Sequence, residues 1–130
     1  MVNYYLNEKD IDPAWVDEKA QAAAKSFFET ATPLTDSQLR RFYGDVKTLE
    51  RQWMSHDGDD AAFAAILPLI KLLKAKVTYA STRKVVPDTF RAWLCKHVDS
   101  VNSIRDFRAF TLHFEAVVGF SYGFADKNYN

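Results

Sequence analysis

A single cysteine, Cys95, in 130 residues leaves no partner for an internal disulfide and no second thiol for a structural zinc site. Glycine and proline are scarce, four of each. No two glycines cluster, so there is no glycine-rich phosphate loop, and no Pro/Gly-rich linker divides the chain. Long apolar runs are missing: the longest, Phe63 to Ile70, is far short of the ~20 residues that span a bilayer. The opening residues, MVNYYLNEKDID, are polar and acidic and do not read as a leader. Strand-like alternation is confined to Val2, Tyr4 and Leu6, which read as an extended arm. These absences imply a reducing cytoplasmic setting, no membrane, and one all-helical domain.

What is present is helical periodicity. Asp12 caps a first helix with Pro13 at the position that tolerates a missing N–H, and Val16, Ala20, Ala23 and Phe27 mark its inner face before Thr32 and Pro33 close it. Thr35 and Gln38 form a capping box ahead of a stripe of Leu39, Phe42, Tyr43, Val46, Leu49 and Trp53. After the turn His56-Asp57-Gly58, Asp59 or Asp60 caps a long third helix. Phe63–Leu73 is so apolar that this helix is expected to be buried on more than one side, with a kink at Pro68. Val86-Pro87 opens a fourth helix with Phe90, Trp93, Leu94, Val98 and Val101 inward. Ser103 caps a fifth, whose stripe is Phe107, Phe110, Phe114, Val117, Ser121 and Phe124. The expectation is an all-α, single-domain bundle of about five helices. Residues 1–35 form an N-terminal extension with one helix, 36–124 the bundle core and 125–130 a flexible tail.

Net charge is formally zero but unevenly spread. Residues 1–36 carry three basic and seven acidic side chains, whereas Lys71 to Arg108 carry nine basic and three acidic, or +6. At ~100° per residue, Arg40, Lys47 and Arg51 lie within roughly 20° of one line on the second helix, with Asp45 and Glu50 on other sides. Lys74, Lys76, Arg83 and Lys84 follow one another with no acidic residue between them, and Lys71 is adjacent to Lys74. Such cations are ordinarily solvated helix faces. Their clustering without acidic partners also suits a surface for phosphates.

The order Gln38-Leu39-Arg40-Arg41-Phe42-Tyr43, then Val46-Lys47 and Glu50, then Leu69 through Ala80 with Arg83, then Phe110 through Phe120, resembles the small subunit of the type III-A CRISPR effector, the Csm complex. The likeness spans about residues 36–122. Ala75 stands where that family often has proline, and Gly119-Phe120 replaces a more usual Ala-Tyr. The resemblance implies an all-helical subunit without catalytic activity or cofactor. Its partners are guide RNA and target RNA (mainly the target strand), other Csm subunits, and further copies of itself in a filament. It carries the RNA-binding role onto Arg40, Lys47, Lys74, Lys76 and Arg83; helical geometry adds Arg51. A support that serves any guide cannot read base edges, so phosphate and 2′-hydroxyl contacts are expected. The alternative is a helical protein–protein scaffold or adaptor that ignores RNA.

Catalytic and metal chemistry find little purchase. His56, His97 and His113 sit on different elements with no HExxH pair, and are expected to be surface or packed residues. The His56–Asp60 turn lacks the alternating oxygens and distal glutamate of a calcium loop. Cys95 has no histidine placed to activate it. Glu115 is expected at the bundle edge in a hydrogen bond or ion pair, for instance with an arginine.

Overall fold

In the computed structural model, which describes residues 2–127, five helices follow a short N-terminal arm: α1 (Glu18–Phe28), α2 (Asp36–Ser55), α3 (Asp60–Thr82), α4 (Asp88–Asp99) and α5 (Ile104–Lys127). The all-helical bundle expected from the periodicity is what forms. α5 packs along α1 and α2, and α3 packs against α2 and α4. The helices meet in one aromatic core: Phe27 lies 5.2 Å from Phe90 and 5.3 Å from Trp93, and Trp93 lies 4.9 Å from Phe114. Every residue of the α2 stripe is buried except Tyr43, which is half-buried against Phe114.

The caps explain where the helices start. Thr35 accepts from the Gln38 amide at 3.2 Å, and Asp59 accepts from Ala62 at 2.8 Å, which resolves the cap of α3 in favour of Asp59. The reciprocal half of the expected capping box is absent, since Gln38 Oε1 is buried without a hydrogen-bond partner. α3 continues as helix through Pro68 and Ala75, and Pro68 faces solvent. α2 and α3 end alike. Gly58 N–H bonds to Trp53 O, and Val85 N–H bonds to Ala80 O, each donor three residues past its helix end. These closures place Asp57 and Lys84 at φ 73° and 60°. A left-handed residue with a Cβ costs about 1–2 kcal/mol, partly offset by glycine's greater unfolded entropy of about 0.5–1. Lys84→Gly should therefore raise stability by about 0.5–1 kcal/mol, read as a later urea midpoint at unchanged m-value.

The first helix differs from its expectation. Asp12 does cap a segment beginning at Pro13, but that segment is a 3₁₀ turn, Pro13–Val16, separated from α1 by Asp17 at φ −131°, ψ −110°. The break swings Trp15 inward, where its indole donates to Asn3 O at 3.1 Å. The buried face becomes Trp15, Ala20, Ala24 and Phe27, with Val16 and Ala23 half-buried, and α1 stops at Phe28 rather than near Thr32. The arm itself is stitched down. Tyr4 is buried, Val2 N–H donates to Ser100 Oγ at 2.9 Å, and Tyr5 OH donates to Arg105 O at 2.7 Å. At the other end, α5 reaches Lys127, and the last three residues of the expected tail lie outside the described residues.

Candidate nucleic-acid interface

The six sequence-nominated cations all sit on helices or at a helix end, but they do not share one wall. Arg40, Lys47 and Arg51 follow the outer line of α2, spaced by about 10 and 6 Å at 1.5 Å per residue. Lys76 reaches across the α2–α3 seam to Asp45, which is ~160° around α2 from Lys47. Lys74 turns to the opposite flank of α3, toward α4. Arg83 caps the C-terminal end of α3. Three flanks therefore share the six side chains.

Nor are they unpaired, as the sequence suggested. Arg40 pairs with Asp36 at 3.0 Å, Lys47 with Glu50 at 2.6 Å, Lys74 with Asp99 at 2.5 Å and Lys76 with Asp45 at 3.7 Å. The first two pairs are one helical turn apart on α2; the other two join helices. The hydrogen bond to Glu50 raises the Lys47 ammonium above its ordinary pKa, and the bond to Asp99 does the same for Lys74. Arg51 instead donates to Thr48 Oγ1 at 3.1 Å, and Arg83 to Tyr79 OH at 2.7 Å while its guanidinium lies 5.4 Å from that ring. Lys71 is structural: it donates to Val98 O at 2.8 Å and Asn102 Oδ1 at 3.1 Å, closing the end of α4, and burial lowers its pKa.

The exposed pairs among these are soft. Arg40 is 66% exposed and Lys74 41%, and exposed ion pairs are worth about 0–1 kcal/mol. A phosphate can exchange for such a carboxylate at little cost. Arg108, which sequence reasoning passed over, stands on α5 with its guanidinium 5.4 Å from the Trp53 ring. It occupies the same α2–α5 seam on which Glu115 of α5 acts on Lys47. Its angle, one residue past Phe107 on the α5 stripe, was the available signal. Glu115 is exposed and faces Lys47 and Tyr43 rather than an arginine.

Elsewhere the chemistry is internal. His97 and His113 are buried and stacked with ring centroids 4.6 Å apart, whereas His56 is exposed. Tyr4 OH, kept protonated because burial and Asp106 raise its pKa, shares a hydrogen bond with His97 Nδ1 at 2.6 Å. Trp93 Nε1–H donates to His113 Nε2 at 3.2 Å, so His113 carries its proton on Nδ1 and donates to Trp15 O at 2.5 Å. Burial keeps both rings neutral, and both nitrogens of His113 are engaged. A groove of about 820 Å³ between the ends of α1, α2 and α5 is lined by Phe28, Leu34, Asp36, Leu39, Ser121 and Tyr122, without a nucleophile–base pair. Among the described residues, no group of three or more histidine, cysteine or acidic side chains could hold a metal ion, and no helix is long and apolar enough to cross a membrane.

The comparisons with known proteins bear on this arrangement. No curated protein and no solved structure matches the chain. The profile of the family described as Csm2 Type III-A matches residues 10–125, which takes in the 3₁₀ turn and α1 as well as the span from 36 to 122. With nearly the whole bundle covered, the chain belongs to the Csm2 Type III-A family, the small subunit of the type III-A CRISPR effector.

Proposed function

We propose that this chain is a non-catalytic, RNA-binding small subunit that supports target RNA paired to guide RNA through sequence-independent phosphate contacts. It does so in the cytoplasm, beside other Csm subunits and further copies of itself in a filament. Family membership supports the setting. The observation that carries the RNA reading is the outer line of α2, where Arg40, Lys47 and Arg51 stand on a rigid helix, Arg40 in an exposed ion pair, Lys47 in a half-buried one and Arg51 bonded to Thr48. Arg108 adds a further cation at the α2–α5 seam, beside Trp53. Lys74, Lys76 and Arg83, on other flanks, fit contacts to a neighbouring copy's RNA or to a second strand. Absence of catalysis is consistent with histidines locked in internal hydrogen bonds.

Reversing charge at Arg40, Lys47 and Arg51 together should weaken target RNA retention by the assembled complex and leave the helical circular dichroism unchanged. If these three contact single-stranded phosphates, log K should fall with log salt at a slope of about −2, roughly a 20-fold loss from 50 to 200 mM. The reversed variant should lose most of that slope. Equal retention and an equal slope would remove this surface from the proposal.

A second reading, the protein–protein scaffold, is favoured by one observation: four of the six cations are already satisfied by the chain's own carboxylates. It predicts stable association with partner subunits and no RNA retention at either salt concentration. Filter binding with and without the partner proteins separates the two.

A further inference from the structure

The N-terminal arm does more than cover the core: where it meets the first turns of α5 it leaves a concavity of about 460 Å³. Asn7 Oδ1 accepts from Lys9 N–H at 2.8 Å and Asp10 N–H at 2.9 Å, Leu6 N–H bonds to Asp10 O at 2.9 Å, and Tyr5 bridges to Ile11. These bonds fold the arm into a tight turn that carries Glu8 and Lys9. The turn is pinned to α5 twice. Tyr5 OH donates to Arg105 O, and Arg105 donates to Asn7 O at 2.6 Å with its guanidinium 3.8 Å from the Tyr5 ring. Lys9, Arg105 and Arg108 thereby line one concavity, together with Glu8 and Asp60.

Among the described residues none of these three cations is in an ion pair, unlike Arg40, Lys47, Lys74 and Lys76. Arg105 and Arg108 rest on ring faces, of Tyr5 and Trp53, and Arg105 on one backbone oxygen. Such contacts fix a guanidinium in place and leave its charge and most of its N–H donors unspent. Three cations on one concave wall form the donor set of a phosphate group, which arginine grips two oxygens at a time. Glu8 and Asp60 share the wall without pairing to the cations, and their carboxylates are open to accept from hydroxyl groups. A ligand that is anionic at one end and a polyol at the other meets both halves, and the volume lies within the range of small-molecule sites.

We infer that the concavity between the arm and α5 binds a small sugar phosphate, its phosphate on Lys9, Arg105 and Arg108 and its hydroxyls on Glu8 and Asp60. Only Arg108 is shared with the RNA-facing cations. The inference does not rest on RNA binding, and its test contains no RNA.

Ribose 5-phosphate, titrated into the full chain and followed by two-dimensional amide NMR, should bind with a dissociation constant on the order of 1 mM. The shifts should concentrate at Lys9, Ser103, Arg105 and Arg108. Inorganic phosphate should bind about tenfold more weakly, and ribose not measurably. Lys9→Gln with Arg108→Gln should weaken both phosphate ligands about tenfold or more, while Lys84→Gln, which removes a cation outside the concavity, should leave them unchanged. Glu8→Ala with Asp60→Ala should separate the two ligands: inorganic phosphate binds as well or better, and the preference for ribose 5-phosphate disappears. All four side chains are exposed and make no internal hydrogen bond, so both double variants should fold. Adenosine 5′-monophosphate tests the source: tighter binding than ribose 5-phosphate marks a nucleotide, equal or weaker binding a free sugar phosphate. Failure of ribose 5-phosphate to saturate by about 20 mM overturns the proposal. So do shifts centred on Arg40, Lys47 and Arg51, an affinity untouched by the Lys9/Arg108 change, or a preference over phosphate that survives the Glu8/Asp60 change.

Discussion

Lowering the pH from 6.5 to 4.5 should cost this protein about 2 kcal/mol through His97 alone, with His113 adding to the loss. Burial, the neighbouring His113 and Lys96 lower the His97 pKa to about 2, against 6.5 in the unfolded chain. For His113 the lowering comes first from burial, with Lys19 and Lys96 acting the same way and the bond to Trp15 O opposing it. A depressed base binds fewer protons folded than unfolded. Its contribution is complete well above pH 6.5 and is lost as the pH falls through 6.5 toward the folded value. Each unit within that window costs about 1.4 kcal/mol per histidine. Asp88, held below its usual range by Arg91, begins to act only below about pH 3.8, so the histidines own the upper window. Urea unfolding at pH 7, 5.5 and 4.5 should show the decline, and His97→Gln with His113→Gln should flatten it. A variant with an undiminished slope would mean that the pair is already charged, or never charges, in both states.

That histidine pair also shows what the sequence could and could not disclose. The stripes on α2, α4 and α5 were legible because an unbroken period of 3.6 is written in large apolar side chains. His97 falls on the α4 stripe between Leu94 and Val98, and His113 beside Phe114 on α5, so packed histidines were an available reading. Their partners were not. Trp15 and His113 are 98 residues apart, and Tyr4 and His97 are 93 apart. The break at Asp17 exists to bring Trp15 to that junction, and no local signal near Asp17 announces it.

The cations teach a different lesson. Arg40 with Asp36 and Lys47 with Glu50 are four and three residues apart, so both pairs were within reach of helical arithmetic. A line drawn through Arg40, Lys47 and Arg51 excluded Glu50 as ~60° away, yet a long lysine crosses that arc with ease. Lys74 with Asp99 and Lys76 with Asp45 join different helices and needed the fold. Burial of α3 on more than one side was half fulfilled: the inner side by the bundle, the outer side by nothing within the chain.

A chain beginning at residue 36 should not fold. The sequence alone makes residues 36–124 look self-sufficient, because all of the longest stripes lie within them. In the structure Tyr4, Trp15, Ala20, Ala24, Phe27 and Leu34 belong to the same core cluster as those stripes. Phe27 stands edge-on to both Phe90 and Trp93, and Trp15 lies edge-on to His97 and His113. Burying each large side chain is worth about 1.5–3 kcal/mol, so losing Tyr4, Trp15, Phe27 and Leu34 removes roughly 6–12 kcal/mol. Domains of this size have about 5–15 kcal/mol to lose. The deletion would also strand His97 Nδ1 and His113 Nδ1, each buried, without Tyr4 OH and Trp15 O. The shortened chain should show a lost near-ultraviolet dichroism and no cooperative urea transition. Adding residues 1–35 back as a separate peptide should restore part of both, since the arm is held by packing and hydrogen bonds that need no covalent link. A cooperative transition in the shortened chain alone would mean that the first 35 residues are an appendage after all, and that the aromatic junction is dispensable.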